Sequence, residues 1–231
     1  MFNHLTLPPL PILDQITEQN GSRKYRIANG LCLPSVTTIL KYADPNKNDT
    51  LARWRNNIGD KAADAILENS RTRGTTLDKM VEDHLNNIDK QPIEYINNKP
   101  DGEAAIMFGD LHPFLQNINN IHFLQPMLYS EKLGTAGSAD IITEYNGVLT
   151  VIDIKNSRKP RTPAMIVTYY LQVTAYALMY SEMTGNKVAN GLVLMAVEDD
   201  ATQLFHFKIV DYIRPLLKAI NTYQKQSGVA S

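Results

Sequence analysis

Thiols are nearly absent from this chain: Cys32 is the only cysteine among 231 residues. A lone cysteine excludes an internal disulfide and cannot supply the thiolate cluster of a zinc or iron–sulfur centre. Any bound metal must be held by oxygen or nitrogen, and no iron–sulfur cluster is expected. An excess of charge of one sign is missing too. Lys and Arg number 23 against 24 Asp and Glu, so contact with a polyanion has to come from local patches rather than from the overall field. Long apolar runs are also lacking, none approaching the roughly 18 residues of a membrane span. The first residues, MFNHLTLPPLPILDQ, have neither the basic start nor the small-residue cleavage site of a secretory signal. The expectation is a soluble, cytoplasmic protein with no membrane partner, in the host cytoplasm if phage-encoded. The length suits one domain of mixed structure, or one domain with an appended subdomain.

What is present centres on residues 135–155, TAGSADIITEYNGVLTVIDIK. Two apolar-rich runs, 139–145 and 148–154, flank Asn146-Gly147, the dipeptide best suited to a type I′ turn, so the stretch predicts a β-hairpin. Side chains two apart on a strand share a face, which puts Asp153 with Lys155 and turns Ile152 and Ile154 the other way. Asp140, at the open end of the partner strand, comes near Asp153. Two carboxylates and an ammonium converging on one patch can hold a hard divalent cation and act on a phosphodiester. Asp-x-Lys alone reads equally as a weak surface ion pair on an inert hairpin. Lys155, Arg158, Lys159 and Arg161 then follow within seven residues without an acid: a solvated loop by itself, a nucleic-acid contact by its place beside Asp153.

Elsewhere, residues 1–22 read as an irregular arm, and 24–33 as a second hairpin turning at Asn29-Gly30. Ser35 is a candidate N-cap for VTTILKY, and residues 44–49 a loop. From Thr50, Leu51, Trp54, Ile58, Ala62, Ala65 and Ile66 recur at helical spacing, with a break near Gly59. Gly74-Thr75 predicts a new helix whose stripe is Leu77, Met80, Val81 and Leu85. Asp78 and Glu82 share another of its faces, as a site or as a solvated acidic surface. His84 is read as a packing or surface histidine. Residues 102–118 predict a helix interrupted at Pro113. The alternation of Met127, Tyr129, Glu131 and Leu133 predicts a strand with Glu131 near the site. Thr162-Pro163 opens, and Gly185 closes, a long helix. Its stripe of Met165, Tyr169, Gln172, Tyr176 and Tyr180 includes an amide that a purely apolar core would not explain. Strands at 191–197 and 202–208 and a helix at 210–226 complete the reading.

Six pieces stand in order: Pro34-Ser-Val-Thr, Leu51-x-x-Trp54, Arg73-Gly74-Thr75, Gly137-Ser-Ala-Asp140, Asp153-Ile154-Lys155 and Gln172-x-x-x-Tyr176. In these the chain resembles the PD-(D/E)XK nuclease superfamily, and within it the RecB-like exonuclease group that takes in mitochondrial genome maintenance exonucleases and many phage nucleases. The resemblance implies an α/β fold of the restriction-endonuclease type: a central mixed sheet flanked by helices, with an N-terminal helical portion. It divides the chain into an arm and helical portion over 1–101 and a nuclease core over 102–231, with the helix at 75–88 packed on that core. It implies Mg²⁺ or Mn²⁺ on Asp140, Asp153 and the carbonyl of Ile154, with Lys155 positioning water and Gln172 and Tyr176 beside them. Glu131 matches an upstream acidic position.

Asp78 stands where the group usually has a histidine, and an oxygen ligand suits these ions at least as well. The implied activity is exonuclease cleavage of single-stranded DNA or DNA ends in replication, recombination or repair. The catalytic motif equally allows an endonuclease, and the scaffold alone a non-cleaving binder. Candidate DNA contacts are Arg53, Trp54, Arg71, Arg73, Arg158 and Lys159, with Trp54 read first as a packing residue.

Overall fold

A computed structural model describes residues 1–227 apart from Asn20 and Asp44, with backbone only for residues 43 and 45–50. Its centre is a five-stranded mixed sheet, built from β4 (Ile118–Leu124), β7 (Ile141–Tyr145), β8 (Val148–Ser157), β9 (Asn190–Val197) and β10 (Gln203–Lys208) in the order β10-β9-β8-β7-β4. Only β8 and β9 run parallel, and α5 (Val167–Thr184) makes the crossover between them that a parallel pair requires. The Asn146-Gly147 hairpin forms as its sequence predicts. Tyr145 pairs with Val148, and both turn residues take the positive φ of a type I′ turn, 51° and 76°.

Strand alternation divides the core in two. Ile142, Val151, Val193 and Met195 pack towards α5, α1 (Val36–Ala43) and α6 (Ile209–Ser227). Ile141, Ile152, Ile154, Leu192 and Leu194 pack towards α3 (Asp60–Leu85) and α4 (Lys99–Leu115). With both faces covered, β9 reads as a nearly continuous apolar run over 192–197, whereas β8 is apolar over 148–154 except at Thr150 and Asp153. The fold is therefore α/β with a mixed central sheet flanked by helices. No helix among the described residues is long and apolar enough to cross a membrane.

Two small sheets complete the fold. Part of the expected arm forms a strand, β1 (Asp14–Thr17), which joins β2 (Arg23–Arg26) and β3 (Cys32–Pro34). DQIT lacks the alternation of a strand with one buried face, and pairing to β2 rather than its own pattern makes it one. Nearer the terminus, His4 bridges Ile121 in parallel and covers the outer edge of β4, where unpaired backbone would otherwise be open. The second sheet pairs β5 (Met127–Ser130) with β6 (Thr135–Ser138).

Several helix boundaries differ from expectation. Ser35 caps α1 as its position suggests, accepting from the Thr38 amide at 3.0 Å. Residues 45–49, expected as loop, begin α2 (Pro45–Ile58), while Asp44 lies outside the described residues. Gly59, at φ 83°, separates α2 from α3, but α3 runs unbroken through Gly74 instead of starting there. A β-carbon on Gly74 would meet the Asn156 amide nitrogen at 2.8 Å, so this glycine serves a close approach between helix and strand. Pro113 does not interrupt α4, because it falls in the last turn, where one missing amide costs little of the ladder. Thr162 makes no side-chain cap: a short 3₁₀ turn, Pro163–Ile166, precedes α5. At its far end α5 stops on Gly185 at φ 78°.

Candidate active site

The site forms where β7 ends and β8 continues. Pairing stops with Ile141 opposite Ile152, so on that side β8 passes Asp153 without a strand beside it. The Ile154 amide finds a side chain instead, donating to Asp140 Oδ2 at 2.8 Å. Asp140 itself leads into β7 and is anchored through its carbonyl, which accepts from the Gln125 amide at 2.9 Å. The hairpin register thus brings the two aspartates together, as the turn sequence predicts.

Asp153 is 1 % exposed. Its Oδ2 lies 2.6 Å from the Lys155 ammonium, while its Oδ1 is buried with no partner among the described residues. Burial holds the Asp153 carboxyl well above the usual carboxylate range, with the Asp140 charge adding to the rise and Lys155 opposing it. Lys155 also donates to the Ile154 carbonyl at 3.2 Å and lies 5.3 Å from the ring centre of Tyr169. Burial alone would favour its neutral form, but the neighbouring carboxylates raise its pKa and hold it protonated. An orphaned oxygen on a buried carboxylate is costly unless something positive meets it.

On the helical side, Asp78 of α3 lines one narrow cleft with Asp140 and Ile154. Its carboxylate keeps an open side to solvent but is crowded by protein. Desolvation first, then the Asp140 and Asp153 charges, push its pKa up to about 7 against the pull of Lys155. Glu82, one turn on, lines the same cleft. On the other face of the sheet, α5 packs beside β8. Tyr176 is buried, and its hydroxyl accepts from Gln172 Nε2 at 3.2 Å, leaving the phenolic proton for another acceptor. Burial, then the Asp153 charge, raise the Tyr176 pKa and keep it a phenol. Gln172 therefore has the polar partner that its place on an apolar helix called for.

These donors fit a hard divalent cation. No three His, Cys, Asp or Glu side chains among the described residues enclose a common point. One or two carboxylates, a carbonyl and open positions left for water and phosphate oxygens are nonetheless what Mg²⁺ takes.

Not every candidate joins the group. Glu131 does not: β5 ends at Ser130, and Glu131 is exposed in the turn at the far end of the β5–β6 hairpin, whose other end leads to Asp140. Arg73 is not a surface contact for DNA. It is 3 % exposed and donates from Nε to Asn156 Oδ1 at 3.1 Å and from Nη1 to Glu103 at 3.0 Å and Glu198 at 3.1 Å, so its charge is met inside the fold. Arg71 is exposed and paired with Glu68 at 2.7 Å. On α2, Arg53 is exposed and Trp54 half-buried. Arg158, 3.3 Å from Glu198, and Lys159 are exposed just beyond the site. The sequence gives no role to Asn156, next to Lys155, and marks Gly137, against the Tyr176 ring, only as the first residue of the Gly-Ser-Ala-Asp motif.

The chain is similar to mitochondrial genome maintenance exonuclease 1 of Mus musculus, with 28 % identity over 184 residues, 76 % of this chain and 53 % of that protein. The Xenopus tropicalis protein of the same name is 28 % identical over 194 residues, 80 % of this chain and 54 % of its own. The chain spans about half the length of the curated relatives it matches. A solved Eubacterium rectale structure with a provisional exonuclease description superposes with a TM-score of 0.47 at 15 % identity, covering 71 % of this chain and 69 % of that one. No protein-family model matches.

Proposed function

We propose that this chain is a nuclease of the PD-(D/E)XK type that uses Mg²⁺ or Mn²⁺ to hydrolyse phosphodiester bonds of single-stranded DNA or DNA ends, an exonuclease of replication, recombination or repair. The observation that carries the reading is the buried Asp153 carboxylate: its Oδ1 has no partner among the described residues, its Oδ2 meets the Lys155 ammonium, and Asp140 is held against the next amide along the strand. Similarity to proteins named exonucleases supports it.

Asp140, Asp153, the Ile154 carbonyl and Asp78 would hold the cation. When bound, it would polarise the phosphodiester and lower the pKa of a water. The chain's own groups do the rest. Asp140 has one oxygen committed to the Ile154 amide, so its orientation is set before any ligand arrives. Lys155 carries a proton at Nζ and can orient the attacking water or neutralise charge developing on phosphorus oxygens. Tyr176, whose hydroxyl accepts from Gln172, keeps its phenolic proton and would be the nearby neutral donor. Arg158 and Lys159 would meet phosphates of the strand beyond the scissile bond.

The test is digestion of end-labelled linear and circular single strands with Mg²⁺ or Mn²⁺, beside Asp153→Ala and Lys155→Ala. Cleavage of the linear strand alone, abolished in both variants while each stays folded, is expected. Cutting of the circle would make the protein an endonuclease, and binding without cutting would remove the nuclease reading.

A further inference from the structure

The geometry points to Arg73 as a positioning residue: through Asn156 it ties α3 to the end of β8 and so sets the distance between Asp78 on the helix and Asp153 with Lys155 on the strand. This inference rests on the nuclease reading only for what the site is used for; the tie is a matter of packing.

Arg73 lies where α3 first becomes attached to the body of the protein. Between Asp60 and Arg73 the helix buries only Ala63, whereas from Leu77 onward it buries a full stripe. At that junction the guanidinium spans three elements, reaching Asn156 on β8, Glu103 on α4 and Glu198 just after β9. Gly74 removes the β-carbon that would push Asn156 away. The remaining distances follow from element geometry. Five residues along α3 lead from Arg73 to Asp78, about 7.5 Å at the helical rise. Three residues back along β8 lead from Asn156 to Asp153, about 10 Å at the strand rise. Two stiff arms of similar reach leave one tie, and Ile154, next to Asp153 on the strand arm, lines one cleft with Asp78.

The strand arm needs such a tie. Beyond Asp153, β8 has lost β7 on one side and keeps only β9 on the other, so the helix substitutes for the missing neighbour. A buried arginine shared by two carboxylates is a poor source of net stability, because desolvation offsets most of the attraction. A planar fork holding three acceptors at once is a good source of fixed geometry, which a lysine point charge cannot reproduce.

The experiment compares Arg73→Lys and Asn156→Ala with Ile220→Ala, a core truncation in α6 remote from the tie, in the full chain. Hydrogen exchange of metal-free protein over residues 153–157 reads the tie directly. Calorimetric titration with Mn²⁺ alone reads the site, and kcat and KM on linear single strands read the reaction. Expected for both tie variants are faster exchange over 153–157, Mn²⁺ binding about 10- to 100-fold weaker, and a lower kcat with KM nearly unchanged. Ile220→Ala should lower Tm without any of these. Exchange and Mn²⁺ affinity no different from those of Ile220→Ala would overturn the inference, leaving Arg73 a structural residue only. If wild-type protein takes up no Mn²⁺ and cuts nothing, the nuclease reading falls instead, and faster exchange in the tie variants alone would uphold the tie.

Discussion

Gly137 lies against the ring of Tyr176 so closely that a β-carbon on it would sit 2.7 Å from Cε1 and 3.2 Å from the hydroxyl oxygen. Tyr176 is buried on α5 and Gly137 on β6, three residues before Asp140, so the contact links α5 to the segment that carries one of the aspartates. Gly137→Ala should displace the ring and destabilise the protein by about 1–3 kcal/mol, as overpacking commonly does. Tyr176→Phe keeps the ring and removes only the hydroxyl. It should leave Tm nearly unchanged and lower kcat roughly tenfold, the equivalent of one lost hydrogen bond of about 1.4 kcal/mol. Thermal melts beside single-strand digestion separate the two effects.

Lys155 and Asp153 offer a test that needs no substrate. Lys155→Met leaves the Asp153 carboxylate buried without its cation and should destabilise the protein by about 3–5 kcal/mol at pH 8. Adding Asp153→Asn should recover most of that loss, giving a large coupling energy in a double-mutant cycle of urea melts. Additive losses would mean that the ion pair contributes nothing to the fold.

The acid side of the cleft predicts a pH dependence. Asp78 titrates near 3.8 when unfolded and about 7 when folded. Between those values the folded protein keeps a proton that the unfolded chain has released. Stability contributed by this group is therefore present at low pH and is lost as pH rises through about 4 to 7. Asp153, shifted in the same direction, adds to the trend. Metal-free protein should melt at a higher temperature at pH 5 than at pH 7.5, by a margin that narrows in Asp78→Asn. Saturating Mn²⁺ should narrow it as well, since a cation supports the charged carboxylates.

Arg158 and Lys159 should act on binding rather than chemistry. Arg158→Ala with Lys159→Ala should raise KM for single-stranded DNA and flatten the dependence of log K on log salt by about 0.7 for each phosphate no longer neutralised. Unchanged kcat would accompany this. An unaltered salt slope in a binding titration would remove both residues from the DNA path.

Much of the site was legible because it is local. Asn146-Gly147 dictates a turn with two positive φ values, and the turn sets the register that lays Asp140 beside the Ile154 amide. Period-two spacing puts Asp153 and Lys155 on one face, and period-four spacing puts Gln172 and Tyr176 on one side of α5. The misread residues were those whose roles depend on distant partners. Arg73 looks like a DNA contact until Glu103, Glu198 and Asn156 are folded around it. Glu131 continues an alternating pattern, but the chain turns at Ser130 and carries it away.

The sequence by itself determined the central hairpin, the long helix α5 and the chemistry they can bear, because turn dihedrals and side-chain periodicity are properties of neighbours along the chain, whereas β1 became a strand only by pairing with β2. Tertiary structure decided which charges are neutralised inside the fold and which remain for a ligand. A carboxylate or guanidinium is a free group or a saturated one according to what distant segments bring within about 3 Å of it, and no local pattern encodes that distance.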